Sequence, residues 1–234
     1  MAVGQLRPSL SVSGAGGLDL VLFDLDGTIT DSQSGIAASY RHTLAAYGLR
    51  ADETAIRACI GPPIALSLAS LGIPPDRIEE AIGIWRAWYA EHGIFDSAVF
   101  DGVPELLRRL RSEQLPIGLA TSKLHRYAVE ILDHFELGGY FDAVTGSTAD
   151  GRLTHKEDIV AEALLSSGLH GSDRVLMVGD REHDMFGAAA NNVVPVGVTY
   201  GYGSRAELEA GGARWLADSP AQLGDLILHL AAAS

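Results

Sequence analysis

The stretch VLFDLDGTITDS, residues 21–32, carries the reading of the fold. Its apolar run begins at Leu18 and ends on two carboxylates, Asp24 and Asp26, one residue apart. Near-continuous apolar runs of this length suit strands buried on both faces. Two acids so close repel each other, so they are either an ordinary strand-end turn or a site waiting for a cation and a phosphate. Side chains alternate along a strand, which puts both acids on a common side with Leu25 turned into packing and Gly27 permitting the bend.

Working outward, runs of the same character recur at LPIGLATS (115–122), FDAVTGS (141–147), RVLMVGD (174–180) and NVVPVGV (192–198). Helical spacing separates them, at 103–112, 123–135, 157–168 and 182–191. Strand and helix in alternation with short links predict an α/β fold, a Rossmann-like doubly wound parallel sheet. Residues 33–97 break this rhythm with helix-like segments and no strand, which predicts an inserted α-helical cap domain. The expected organisation is a flexible leader over 1–17, a core of 18–32 plus 98–234, and a cap of 33–97.

The totals agree with a soluble globular protein that has a real core. Hydrophobic residues make up 47% of the 234 and charged residues 20%. A formal charge of -13 argues against nucleic acid polymers and anionic membranes as partners. The single cysteine, Cys59, excludes an internal disulfide and a cysteine-rich zinc site. No apolar stretch reaches the ~18 residues of a membrane helix, and a cytoplasmic location is the expectation.

In a parallel sheet, ligands bind beyond the carboxyl ends of the strands. There the sequence places Asp24 and Asp26, then Thr121, Ser122 and Lys123, then Lys156 at a helix start, then Asp180 with Asp184 one turn on. The chemistry that needs this set is phosphoryl transfer through a carboxylate. One acid attacks phosphorus, and a second moves protons. Magnesium, with its preference for oxygen ligands, screens the anions. A hydroxyl and a lysine hold the phosphoryl oxygens.

These motifs resemble those of the haloacid dehalogenase superfamily of phosphatases. VLFDLDGTITDS is similar to the first motif, ATSK (120–123) to the second, Lys156 to the third and VGDREHD (178–184) to the fourth. IGPPIALSL (60–68) and the segment 198–223 resemble the phosphoglycolate phosphatase-like branch. The resemblance implies Asp24 as nucleophile and Asp26 as general acid/base, its backbone carbonyl also reaching the metal. It implies Thr121 or Ser122 as the phosphate ligand, with Thr121 favoured, and Lys156 as the neutralising cation. Asp180 and Asp184 complete the magnesium site. Lys-Pro, common in relatives around the third motif, is HKED here, so the lysine is placed by position.

Other residues have competing readings. Lys123 is either solvent-facing or a substrate contact, and Gly27 shapes the phosphate loop. Arg57 and Arg41 are candidates for a substrate carboxylate or second phosphate, against exposed surface. Trp85, Trp88 and Tyr89 are read as cap core, with a substrate-facing wall as the rival. Arg181 and His183 are expected to face solvent or neighbouring loops. The expected activity is a magnesium-dependent phosphomonoesterase on a small metabolite, in a monomer or homodimer. Its rivals are a phosphotransferase or mutase, a dehalogenase, and a non-catalytic regulatory relative. A dehalogenase needs no metal and no second acid, which Asp26 and Asp180 speak against.

Overall fold

The computed structural model describes residues 17–233, so all but the last residue of the leader segment lies outside the described residues. The chain opens with strand β1 (Leu20–Phe23) and the short β2 (Thr30–Asp31). Helices α1 (Gln33–Ala46), α2 (Glu53–Ala58), α3 (Ile64–Ser70) and α4 (Ile78–Trp88) follow, and α4 runs on as a π turn, Tyr89–Gly93. Strand β3 (Ala98–Val99) returns to β2. The chain then alternates α5 (Val103–Ser112), β4 (Ile117–Leu124), α6 (His125–His134), β5 (Ala143–Ser147), α7 (Lys156–Ser166), β6 (Val175–Gly179), α8 (Glu182–Ala190) and β7 (Val194–Val198). It closes with α9 (Arg205–Ala210), β8 (Trp215–Ala217) and α10 (Pro220–Ala233).

Six strands form one sheet in the order β5-β4-β1-β6-β7-β8, with every pairing parallel. All four residues of β1 are buried, and they divide between two cores. Val21 and Phe23 pack into the larger one, Leu20 and Leu22 into the one under α7. That division is why the run is apolar throughout and does not alternate. The chain moves from β1 to one side of the sheet and later to the other, which leaves a crevice at the carboxyl ends beside β1.

Two strand-level differences from the sequence reading have local causes. β8 is a three-residue edge strand beside β7, too short to leave an apolar run. β4 continues through Leu124, with its register to β5 shifting between Thr121 and Leu124. Ser122 and Lys123 therefore occupy an irregular strand end, and α6 begins only at His125.

The helices between β2 and β3 stand on a narrow base, where Thr30 pairs with Val99 and Asp31 with Ala98 in antiparallel register. Inside the insert, α1 crosses the π turn so closely that a Cβ on Gly35 would lie 2.2 Å from the Gly93 carbonyl oxygen. Asp52 caps α2 by accepting from the Ala55 amide at 2.8 Å, whereas Asp76 lies in a 3-10 turn and α4 has no side-chain cap. Tyr40, Trp85 and Tyr89 are buried together, with Trp85 and Tyr89 stacked at 4.8 Å between ring centres. Among the described residues no helix is long and apolar enough to cross a membrane.

Candidate active site

β1 delivers Asp24 to the sheet edge, where its amide still bonds the Val178 carbonyl of β6 at 2.8 Å. The chain then turns sharply on the buried Leu25, whose carbonyl accepts from Ile29 and Thr30 at 2.9 Å. Gly27 is required twice over. Its φ is +85°, and a Cβ there would lie 2.2 Å from the Asp180 carboxylate. The two acids of the opening motif line one cavity but take different partners.

Asp24 faces a buried charge cluster. Oxygens of Asp24, Asp180 and Asp184 lie within 4.8 Å of one another. Lys156, the first residue of α7, reaches Asp24 at 2.9 Å and Asp184 at 2.7 Å. Its ammonium also donates to the Ala120 carbonyl at 3.1 Å. Burial would lower the Lys156 pKa, but Asp184 and Asp24 outweigh it and hold the ammonium above its ordinary value. Asp184 accepts from the Arg181 amide at 3.1 Å in a capping box. Asp180 accepts from the Tyr202 amide at 2.7 Å through one oxygen.

One ammonium does not balance three carboxylates. Burial, and then repulsion from Asp184 and Asp24, push Asp180 well above the usual carboxylate range. Its Oδ1 is buried with no hydrogen-bond partner among the described residues. An orphaned buried acceptor beside two further carboxylates fits a hard divalent cation that prefers oxygen ligands. The cluster could hold such an ion.

Asp26 turns towards the insert. Ser32 donates to its Oδ1 at 2.5 Å, and Lys123 pairs with its Oδ2 at 3.0 Å. The Lys123 ammonium is buried and also donates to the Tyr89 hydroxyl at 2.6 Å. Burial would lower its pKa, but Asp26 and Tyr89 reverse the sign and raise it. Lys123 is thus no solvent-facing lysine: it ties the acid of one layer to the phenol of the other. Behind Ser32, the Tyr202 hydroxyl accepts from the Ser32 amide at 2.7 Å and donates to Asp31 at 3.1 Å. Thr121 is buried, its Oγ1 accepting from the Lys123 amide at 3.2 Å, and Ser122 stands half-buried beside it.

A cavity of about 350 Å³ opens above these groups, with Asp24, Asp26, Thr121, Ser122 and Lys123 in its lower wall. Trp85, Arg86 and Tyr89 of α4 and the Gly61–Ile64 loop form its roof. Trp85 and Tyr89 thus belong to the insert's core and to the cavity wall at once, whereas the half-buried Trp88 stacks between His42 and His92. Arg181 leaves the core to donate to the Ile60 carbonyl of the overhanging loop, and pairs with Glu207 at 2.7 Å.

The structure brings Asp24, Asp26, Gly27, Thr121, Ser122, Lys123, Lys156, Asp180 and Asp184 together, but it does not bring Arg57. Arg57 is exposed beside the Gln33 amide and lines no part of the cavity, because its face of α2 turns outward. Arg41 is likewise spent on an exposed pair with Glu53. Residues that sequence reasoning passed over are Ser32, Tyr202 and Arg86. Ser32 had a signal, as the last residue of the quoted motif, while Tyr202 had none.

Comparison with known proteins follows the same lines. The family model described as haloacid dehalogenase-like hydrolase matches residues 21–198. A 5'-nucleotidase of Pseudomonas aeruginosa is 41% identical over 192 residues, covering 81% of this chain and 86% of that protein. The tyrosine-protein kinase PtkA of Mycobacterium tuberculosis is 40% identical over 185 residues, and this chain spans 63% of its length. The crystal structure of a predicted phosphatase from Clostridium acetobutylicum superposes with a TM-score of 0.87 at 38% identity, covering 91% of this chain and 99% of that one. The chain belongs to the haloacid dehalogenase-like hydrolases and stands among their phosphatases.

Proposed function

We propose that the chain is a magnesium-dependent phosphomonoesterase that hydrolyses a small phosphorylated metabolite, phosphoglycolate- or nucleotide-like, through an aspartyl-phosphate on Asp24. The observation that carries this reading is the single lysine, Lys156, paired with both Asp24 and Asp184 inside a buried carboxylate cluster whose Asp24 lines the cavity.

Asp24 attacks phosphorus, and the bond to the leaving oxygen breaks while Asp26 gives that oxygen its proton. Water then attacks the acyl phosphate, Asp26 takes the water's proton, and the bond to Asp24 breaks to release phosphate. Ser32 and Lys123 hold Asp26 in place for both transfers. Thr121 and Ser122 bind the phosphoryl oxygens, and Lys156 offsets the charge on Asp24. Asp24, Asp180, Asp184 and the Asp26 backbone carbonyl would hold magnesium, which would supply the electrostatic screening that lets an anionic nucleophile approach an anionic phosphate. In this reading residues 18–32 plus 98–234 act as the catalytic domain and 33–97 as the cap. Closure keeps bulk solvent from the phosphoryl group, which strengthens the charge contacts inside, and leaves the one water that Asp26 activates to complete hydrolysis.

The test is Asp24→Asn. It removes the nucleophile and keeps the shape, so turnover of a phosphate ester panel with magnesium falls to background while the melting transition persists. Wild-type turnover by this variant rejects the reading. A second reading, transfer of the phosphoryl group to an acceptor hydroxyl, has the named kinase relative in its favour. Labelled water decides between them, since hydrolysis carries the label into phosphate and transfer does not.

A further inference from the structure

Two cations line the cavity from within reach of its roof, and only one is committed. Lys123 is held by Asp26 and Tyr89. Arg86 makes no side-chain hydrogen bond or ion pair among the described residues, and its Nε is buried without an acceptor. The neighbouring Trp85, 6% exposed and also lining the cavity, has its Nε1 donor buried without an acceptor. Two adjacent donors in one wall thus lack partners, where buried polar groups are normally satisfied.

Their placement is fixed by α4. Ile82, Arg86 and Tyr89 follow at helical spacing on its cavity face. The Tyr89 hydroxyl is 2.6 Å from Lys123, which is 3.0 Å from Asp26, so Arg86 lies about one turn along the roof from the reacting end. The Arg86 backbone is tied down through its carbonyl, which accepts from the Tyr127 hydroxyl at 3.5 Å. The nearby acids leave it alone: Glu79, two turns back on the same helix, makes no pair with it, and Asp150 accepts from the Arg152 amide. A free guanidinium presents a planar fork that matches two oxygens of one oxyacid group. In a protein of formal charge -13, it is also the local feature that would draw a second negative charge into the roof.

We propose that Arg86 forms a subsite for a carboxylate carried by the leaving group of the phosphate ester. The inference rests on the phosphatase reading and narrows its substrates to phosphate monoesters of small hydroxy acids. It also moves to α4 an anion-binding role for which the sequence offered Arg57 and Arg41 as candidates.

Binding of non-hydrolysable phosphonates, read by calorimetry on the full chain with magnesium, tests the subsite without turnover. The probes are 4-phosphonobutanoate, butylphosphonate and propane-1,3-bisphosphonate, which differ only in the distal group. The carboxylate ligand is expected to bind at least ~10-fold tighter than butylphosphonate. Arg86→Met should bring that ratio close to one and Arg86→Lys should keep part of it, since a point charge lacks the fork. Arg57→Met should leave the ratio at its wild-type value. A ratio near one in the wild type, or one unchanged by Arg86→Met, overturns the subsite. Tighter binding of the bisphosphonate overturns the carboxylate in favour of a second phosphate at the same arginine. Failure of the phosphatase reading shows separately, as absent turnover of the corresponding phosphate esters.

Discussion

The floor and the roof of the cavity are built on opposite principles. On the floor, Lys156 answers Asp24 and Asp184, and Lys123 and Ser32 answer Asp26. The backbone supports the acids too, through the Tyr202 and Arg181 amides. The roof is aromatic and aliphatic, and two of its donors, on Trp85 and Arg86, have no acceptor. The floor therefore resists rearrangement, since breaking any pair strands a buried charge. The roof leaves its polar capacity to whatever enters. The proposed function places chemistry on the floor and choice of substrate in the roof, and substitutions in each should then fail differently.

The largest effect belongs to the floor. Asp26→Asn keeps the shape but removes the proposed proton carrier, and steady-state turnover should fall by about 10²–10⁴ while magnesium affinity is retained. A fall in magnesium affinity of the same size would merge proton transfer and metal binding into one function. Lys156→Met follows, with a loss of about 10²–10³ in turnover. It also leaves two buried acids unanswered, which costs about 3–5 kcal/mol in the metal-free protein. Magnesium should restore part of that stability in a thermal melt, because the cation takes over the screening.

A roof substitution should separate the layers. Trp85→Ala deletes a side chain packed against Tyr40 and Tyr89 and costs about 3–5 kcal/mol in stability. Magnesium affinity, read by calorimetry below the melting range, should stay within about two-fold of wild type if the floor is independent. A joint loss of metal binding would break the comparison.

The smallest effect lies where the layers touch. Burial would raise the Glu207 pKa, but Arg181 and the Glu182 and Ser204 backbone outweigh it and hold it below its ordinary 4.5. A depressed acid contributes stability above its unfolded pKa and loses it as pH falls through the folded value. The pair that carries Arg181 to the Ile60 carbonyl should therefore weaken only below about pH 4.5. Glu207→Gln should flatten that acid limb of the melting curve and cost under ~1 kcal/mol at neutral pH. An unaltered acid limb would show that Glu207 does not support the Arg181 contact to the Ile60 carbonyl.

The same division explains what could be read from the chain. Asp24, Thr121 and Asp180 stand at the ends of apolar strand runs, and a parallel sheet gathers such ends at one rim whatever lies between them. Lys156 and Asp184 open the helices that follow, so their placement is also local. Lys123 was half legible, because a register shift at the end of β4 reshapes two residues that spacing assigns to a helix. Arg57 and Arg86 were not distinguishable, since which face of a short helix looks into the cavity depends on how the insert packs. The Ser32–Tyr202 bond joins residues 170 apart, and no local pattern encodes it.

The narrow base formed by β2 and β3 has a consequence for how such a protein diversifies. The chain leaves the layer of the six-stranded sheet at Asp31 and comes back at its register partner, Ala98. Because the two ends are already joined, the closure cost of what lies between them grows only logarithmically, about 0.6 kcal/mol for each doubling in length. An insertion point of this kind tolerates exchange. One insert can be traded for another of different size and lining, and the acids beneath keep their positions.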